Sequence, residues 1–271
     1  MRQAKDFFAE SETLYGLLDD LVEDDFRMPT QFKNWSINDV LQHLHLFNIL
    51  ARESIQNENA MLARLADIRR RRDDGRSLRD ATGDILGGIS GRSLLDAWRD
   101  EYERLSNLYV TLDPKSRLKW AGPSMSALSS VSARLMETWA HGLSVFDVLG
   151  VERKETDRIF SIAVMGNNTF GWTFKNRDEA IPETPPRLTL NAPSGEVWRF
   201  NDEAASESIS GEALDFCYVV VQARNVADTR LQVSGENAAR WMSVAQCFAG
   251  PPVDPPAPGT RFRAAHYFRR A

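Results

Sequence analysis

The segment from residue 125 to 149 constrains this chain most. It reads as one helix, stopped by Gly150, and carries only three formal charges: Arg134, Glu137 and Asp147. A helix so poor in charge is mostly buried, so other elements must surround it. A buried carboxylate must in turn be paired, protonated or bound to a cation. Glu137 and His141 are four residues apart and share one side of the helix. Three states of Glu137 stay open on spacing alone: a hydrogen bond to His141, a pair with Arg134, or a bound cation.

Further helices flank this one. Phe7, Leu14, Leu17, Leu18 and Leu21 recur at helical spacing and predict a helix over about 2–22. A connector over 23–35 holds Met28-Pro29 and ends at Trp35. Ser36-Ile37-Asn38-Asp39 then reads as a capping box with Asp for the commoner Glu, opening a second helix that runs to about 68. The glycine-rich stretch 73–92 predicts a partly helical crossover. A third helix over about 93–111 stops at Asp113-Pro114, and Gly122-Pro123 breaks the next connector.

After residue 150 the pattern changes. A short helix is expected over 156–167. Arg187-Leu188-Thr189-Leu190 and Val197-Trp198-Arg199-Phe200 flank Ala192-Pro193-Ser194-Gly195, a hairpin signal. A helix is expected from near Ser210, a strand over 231–233 and a last helix over 236–248. Five prolines in 250–259 predict a tail of polyproline character. The sequence thus predicts an α+β protein: a helical domain over 1–150 and a smaller α+β domain over 151–271.

Composition excludes several functions. The chain of 271 residues is 42% hydrophobic and 26% charged, enough for a sizeable core. It has no apolar run of eighteen residues and no apolar segment of signal-peptide type at its start, so a cytoplasmic protein with no membrane span is expected. Cys217 and Cys247 lie in apolar helical contexts with no adjacent cation, and read as inert, reduced thiols. The net charge of −5 argues against a nucleic-acid partner. Arg69-Arg70-Arg71-Arg72 runs straight into Asp73-Asp74 and reads as a solvated helix end. No feature specifies an oligomeric interface, and a homodimer stays open.

The histidines are His43, His45, His141 and His266. On the second helix, Val40, His43, Leu44, Phe47, Leu50 and Ala51 form one face, so His43 points inward. His45 joins Leu41, Asn48 and Arg52 and is expected toward solvent. An inward histidine is either a satisfied core residue or a ligand. His43 lies about 10 Å into its helix, and Glu137 and His141 lie about 18 and 12 Å from the end of theirs, at 1.5 Å per residue. These levels agree if the two helices run antiparallel, with 69–92 as the long crossover. The chain has no HExxH motif, which excludes a zincin site. His266, beyond the proline-rich stretch, reads as a surface residue.

Two motifs carry a family resemblance. Trp35-Ser36-Ile37-Asn38-Asp39-Val40-Leu41-Gln42-His43-Leu44 resembles the W-[ST]-x-x-D-V-x-x-H-L signature of the DinB-like superfamily, in its branch containing mycothiol-dependent maleylpyruvate isomerase. Glu137-Thr138-Trp139-Ala140-His141-Gly142, continuing to Val145-Phe146-Asp147-Val148-Leu149-Gly150, resembles the second motif of that branch, with Ser144 where Asp is frequent. The resemblance covers about 1–150. It implies a four-helix bundle binding a divalent metal, zinc or else nickel, through His43, Glu137 and His141. It further implies a low-molecular-weight thiol such as mycothiol, and an isomerase or transferase acting on a small electrophilic molecule. Asn48, Trp139 and Arg134 are candidates for the surroundings of that site. A non-catalytic metal- or small-ligand-binding protein is the alternative.

The second half is similar, over Ile209-Ser210-Gly211-Glu212-Ala213-Leu214-Asp215-Phe216-Cys217 and from Trp241 to Pro252, to a C-terminal module linked to wyosine base formation in tRNA. The acidic balance argues against a tRNA substrate. A sterol-carrier-like α/β arrangement is another reading of this half. The C-terminal domain is expected to supply no metal ligand.

Overall fold

The structure, a computed structural model, describes residues 1–201 and 205–265. The chain divides into two compact units, Met1–Val148 and Leu149–Ala271. The fold class is α+β, with an N-terminal helical bundle followed by a smaller unit built on a sheet.

The long helices of the bundle are α1 (Arg2–Asp19), α2 (Ile37–Gln56), α5 (Gly91–Thr111) and α6 (Ala127–Leu149). α5 packs on both α1 and α2. The buried side chains include Phe7, Leu14 and Leu18 of α1, Leu41 and Leu44 of α2, Trp98, Tyr102 and Leu105 of α5, and Leu135 and Trp139 of α6. The capping box at α2 is real: Asp39 N donates to Ser36 Oγ at 3.1 Å, and Ser36 N donates to Asp39 Oδ2 at 2.8 Å. It fixes the first turn of the helix that carries His43.

The second helix does not run unbroken to residue 68. Asn57 leaves helical geometry (φ −156°, ψ 81°) and its Oδ1 accepts from Ala60 N at 3.1 Å, capping α3 (Glu58–Asp73). An asparagine side chain competes with the helix ladder for backbone donors, which is why the break falls there. α3 and α4 (Leu78–Ile85) fold back on α2 and bury a second cluster, in which Leu46, Leu50, Met61 and Ile68 meet Phe47, Leu78 and Trp120.

Packing within the bundle corrects the expectation for His45. It is buried, at 8% exposure: Arg52 on its side of α2 pairs with Glu101 of α5 at 2.6 Å and Asn48 bonds Arg134 of α6, so that side meets the bundle and not water. The crossover is pinned at its far end, where Gln42 Nε2 donates to Ile89 O at 2.8 Å and Gly91 N donates to Asn38 Oδ1 at 3.0 Å. The arginine run closing α3 is partly neutralised: Arg71 pairs with Asp67 at 3.1 Å and with Asp84 at 3.3 Å. A two-residue ribbon, β1 (Arg117–Leu118) with β2 (Met125–Ser126), leads into α6.

In the second unit, α7 (Phe160–Asn168) and α8 (Phe170–Lys175) precede a four-stranded sheet. Its strands are β3 (Arg187–Asn191), β4 (Val197–Phe200), β5 (Ser208–Glu212) and β6 (Gln232–Ser234), in the order β4-β3-β5-β6. β3 and β4 form the expected hairpin, with Leu190 opposite Trp198. β5 lies parallel to β3, with Ile209 opposite Leu188. Ser210 is therefore a strand residue, and the helix expected there, α9 (Ala213–Val220), begins three residues later. The apolar pattern of residues 214–221 is helical, but Ser208–Glu212 is drawn into the sheet by β3, a partner invisible to local periodicity. α9 packs on β3, β5 and α7, with Gly166 of α7 leaving no room for a side chain against Val220 and Phe216.

The last helix, α10 (Glu236–Val244), precedes the proline-rich stretch, which is strapped down rather than loose. Gln222 Nε2 donates to Val253 O at 2.8 Å, Val253 N donates to Gln246 Oε1 at 3.0 Å, and Asn225 Nδ2 donates to Pro256 O at 2.9 Å. Cys217 and Cys247 are both buried, and neither is in a disulfide. Burial pushes the Cys217 thiol far above its ordinary pKa, so it is no thiolate nucleophile. Among the described residues no helix is long and apolar enough to cross a membrane. His266 lies outside the described residues.

Candidate metal centre

α2 and α6 present His43, Glu137 and His141 to one another. His43 Nε2 lies 3.1 Å from Glu137 Oε2, and His141 Nε2 lies 3.2 Å from the same oxygen. The potential ligand atoms of all three lie within 4.8 Å of one another. Further along α2, Asn48 Oδ1 accepts from Arg134 Nε at 3.0 Å. As α2 advances from 43 to 48, its partners on α6 step back from 141 and 137 to 134, so the two helices run antiparallel. Of the states open to Glu137, the hydrogen bond to His141 is present, with His43 as a second partner. Arg134 is bonded to Asn48 instead.

The cluster is largely withdrawn from water: the side chains of His43, His141 and Glu137 are 9%, 14% and 23% exposed. Burial is the main influence on His43 and lowers its pKa to about 4, against the opposing effect of Glu137. Its ring is neutral at neutral pH, the form in which imidazole binds metals. Burial also disfavours the charge on Glu137, but hydrogen bonds with His141 and His43 outweigh it and hold the carboxyl well below its usual range. The site is thus an anionic oxygen between two imidazoles, a donor set that divalent first-row ions accept. His43 Nδ1 is buried without a hydrogen-bond partner, while the Glu137 carboxylate favours a proton on Nε2, a proton that must shift to Nδ1 before Nε2 can bind a metal. The residues fit a divalent metal.

Aromatic rings hold the two imidazoles. Phe32 stands edge-on to His141 at 4.8 Å, Trp35 stacks parallel to it at 6.1 Å, and Phe47 lies 4.5 Å from His43. Phe32 and Trp35 sit at the two ends of a tight turn in which Trp35 N donates to Phe32 O at 2.9 Å. Lys33 (φ 50°) and Asn34 (φ 59°) at its centre are both left-handed, the type I′ geometry. Trp35 belongs to the sequence motif and Phe47 to the inward face of α2. Phe32 was missed, because a lone phenylalanine in a connector has no periodicity to mark it. Of the other candidates, Asn48 and Arg134 meet each other behind the triad, while Trp139 is buried at 1% exposure. Ser144 Oγ donates to the carbonyl of His141 at 2.7 Å, within the helix. His45 is not part of the cluster.

Residues 7–146 match the family model of the mycothiol maleylpyruvate isomerase N-terminal domain, which takes in the whole triad. The chain belongs to this family. Two Mycobacterium tuberculosis proteins, from strains CDC 1551 and H37Rv and each described only as an uncharacterized protein, are 36% identical to it over 247 residues. The match spans 91% of this chain and 95% of each relative. The crystal structure of the mycothiol-dependent maleylpyruvate isomerase superposes with a TM-score of 0.55 over 86% of this chain and 92% of its own, at 11% identity. That likeness shows that the maleylpyruvate isomerase fold extends beyond the N-terminal domain into the second unit.

Proposed function

We propose that this chain binds one divalent metal ion, zinc in the first instance and nickel as the other candidate, through His43, Glu137 and His141. We further propose that it is a thiol-dependent isomerase of small electrophilic molecules, using mycothiol or a thiol of the same kind. The observation that carries the reading is the convergence of both imidazole Nε2 atoms on one oxygen of Glu137, with aromatic rings packed against both imidazoles. Membership of the maleylpyruvate isomerase family supports the thiol and the reaction type.

Each residue has a definite task. His43 and His141 bind as neutral donors, and Glu137 supplies the negative charge that offsets a cation. Phe32, Trp35 and Phe47 orient the rings and exclude water from them, which strengthens every charge interaction inside. Bound there, a divalent ion would act as a Lewis acid and lower the pKa of a thiol presented to it.

The test is elemental analysis of purified protein, followed by a turnover screen with low-molecular-weight thiols and electrophilic substrates. His43→Ala and His141→Ala should each abolish stoichiometric metal and thiol-dependent turnover, while Glu137→Gln should weaken metal binding. Metal bound with no turnover on any thiol would leave the non-catalytic binding protein as the answer. Equal metal content in wild type and all three variants would remove the site.

A further inference from the structure

Arg134 poses a physical problem that the triad does not explain. It is 3% exposed, and its Nη2 is buried without a hydrogen-bond partner. Its Nε donates to Asn48 Oδ1, and its guanidinium lies 6.0 Å from the centre of the Phe47 ring. Among the described residues no carboxylate forms an ion pair with it, although Glu137 is only three positions along α6. Glu137 turns its Oε2 to the two histidines instead. Asn48 is fully buried, and its Nδ2 is also unpartnered. An unpaired cation buried in a bundle is expensive, and an apolar side chain of similar volume would pack there at less cost. The charge therefore acts on something nearby, and the nearest chemistry is the triad one turn away, with Phe47 lying against both His43 and Arg134.

We propose that Arg134, held in place by Asn48, is a positioning residue that sets the charge of the metal centre, so that the loaded centre prefers an anionic incoming ligand over a neutral one. The inference rests on the reading of His43, Glu137 and His141 as metal ligands. With Arg134 present, the loaded pocket carries one more positive charge than the two histidines, the glutamate and the ion would give. That excess disfavours a neutral ligand such as water relative to a thiolate or a carboxylate. It also weakens the metal's own binding, since Arg134 repels the cation. A unit charge one helical turn away, at an effective dielectric of about 20, corresponds to at least about a tenfold change in affinity for an anion.

The experiment uses the full chain loaded with Co²⁺, with azide as the anionic probe followed by visible absorption. Metal affinity is measured in parallel by competition with a chelator. Arg134→Met removes the charge at similar length, and Arg134→Lys retains it. Asn48→Asp keeps the guanidinium and the packing but gives the cation a partner. The expected result is azide affinity lower by about tenfold or more in Arg134→Met and Asn48→Asp, cobalt affinity higher in both, and Arg134→Lys close to wild type. Azide binding unchanged in Arg134→Met and Asn48→Asp overturns the proposal, as does an equal loss in Arg134→Lys. If Arg134→Met does not fold, Asn48→Asp decides by itself. A wild-type chain that binds no cobalt would overturn the metal centre and this inference together. That outcome differs from bound cobalt with unaltered azide affinity, which overturns the inference alone.

Discussion

The two units each bury a polar cluster, and they treat it in opposite ways. In the second unit, Gln222 Nε2 donates to Ala245 O and Val253 O, while Gln246 Nε2 donates to Phe248 O and Pro251 O and its Oε1 accepts from Val253 N. In the bundle, His43 Nδ1, Asn48 Nδ2 and Arg134 Nη2 are buried without partners. A buried polar group costs free energy unless it is hydrogen-bonded, so a cluster that serves only folding closes all its bonds. The glutamine cluster does this by strapping the proline-rich stretch onto the second unit. The bundle's cluster leaves such bonds open, and beside them two imidazole Nε2 atoms share one carboxylate oxygen, a set that could hold a cation.

The comparison can be broken most directly by removing the metal. Wild-type protein stripped by a chelator should melt at a lower temperature, with an apparent loss of about 4 kcal/mol when the free ion had stood at a thousand times its Kd. His43→Ala and His141→Ala should abolish this metal-dependent shift. Metal-independent melting of the wild type would mean that the histidine–glutamate cluster holds no ion, and would erase the contrast.

Gln246→Ala probes the other cluster. It strips partners from Val253 N and from two carbonyls, and should cost about 2–3 kcal/mol by denaturant unfolding while leaving metal content unchanged. Metal loss in this variant would show that the two clusters are not separable in function. By the same argument, deleting residues 250–271 should destabilise the second unit, since the strap goes with them, without removing a residue of the triad.

Smaller effects sharpen the picture around the site. Ser36→Ala removes the cap of the helix that carries His43 and should cost about 1 kcal/mol. Metal affinity should fall little, because Trp35 and Phe47 still hold the ring. Lys33→Gly relieves a left-handed lysine in the turn between Phe32 and Trp35. Relief of about 1–2 kcal/mol offset by glycine's entropy leaves a gain of roughly 0.5 kcal/mol in thermal unfolding. A loss of stability there would mean that the Lys33 ammonium, 5.3 Å from the centre of the Phe32 ring, matters more than the backbone.

Much of the bundle was legible because its signals are local. The charge-poor α6, the Ser36–Asp39 box and the inward face of α2 each depend on residues within a turn or two of one another. The hairpin of β3 and β4 was legible for the same reason. Asn57 was not, because an asparagine is tolerated inside helices and here instead caps the next one. The faces of a single helix put His45 toward solvent, and its burial comes from the packing of other elements on α2, which no helical wheel contains. β5 was missed because Ser208–Glu212 is made a strand by pairing with β3, some twenty residues earlier.

The sequence by itself determined which side chains could act together along a helix: Glu137 with His141 at four residues' spacing, and His43 on the buried stripe of α2. Helical geometry is repeated every turn, and so is written in the order of residues. Only the tertiary structure decided that His43 meets Glu137 across 94 positions of chain, that Phe32 closes over His141, and that Arg134 bonds Asn48 instead of the nearby glutamate. Those contacts depend on how far one helix slides along another. That register is set by the packing of the whole bundle and its crossover, a sum of many weak contacts that no short segment encodes.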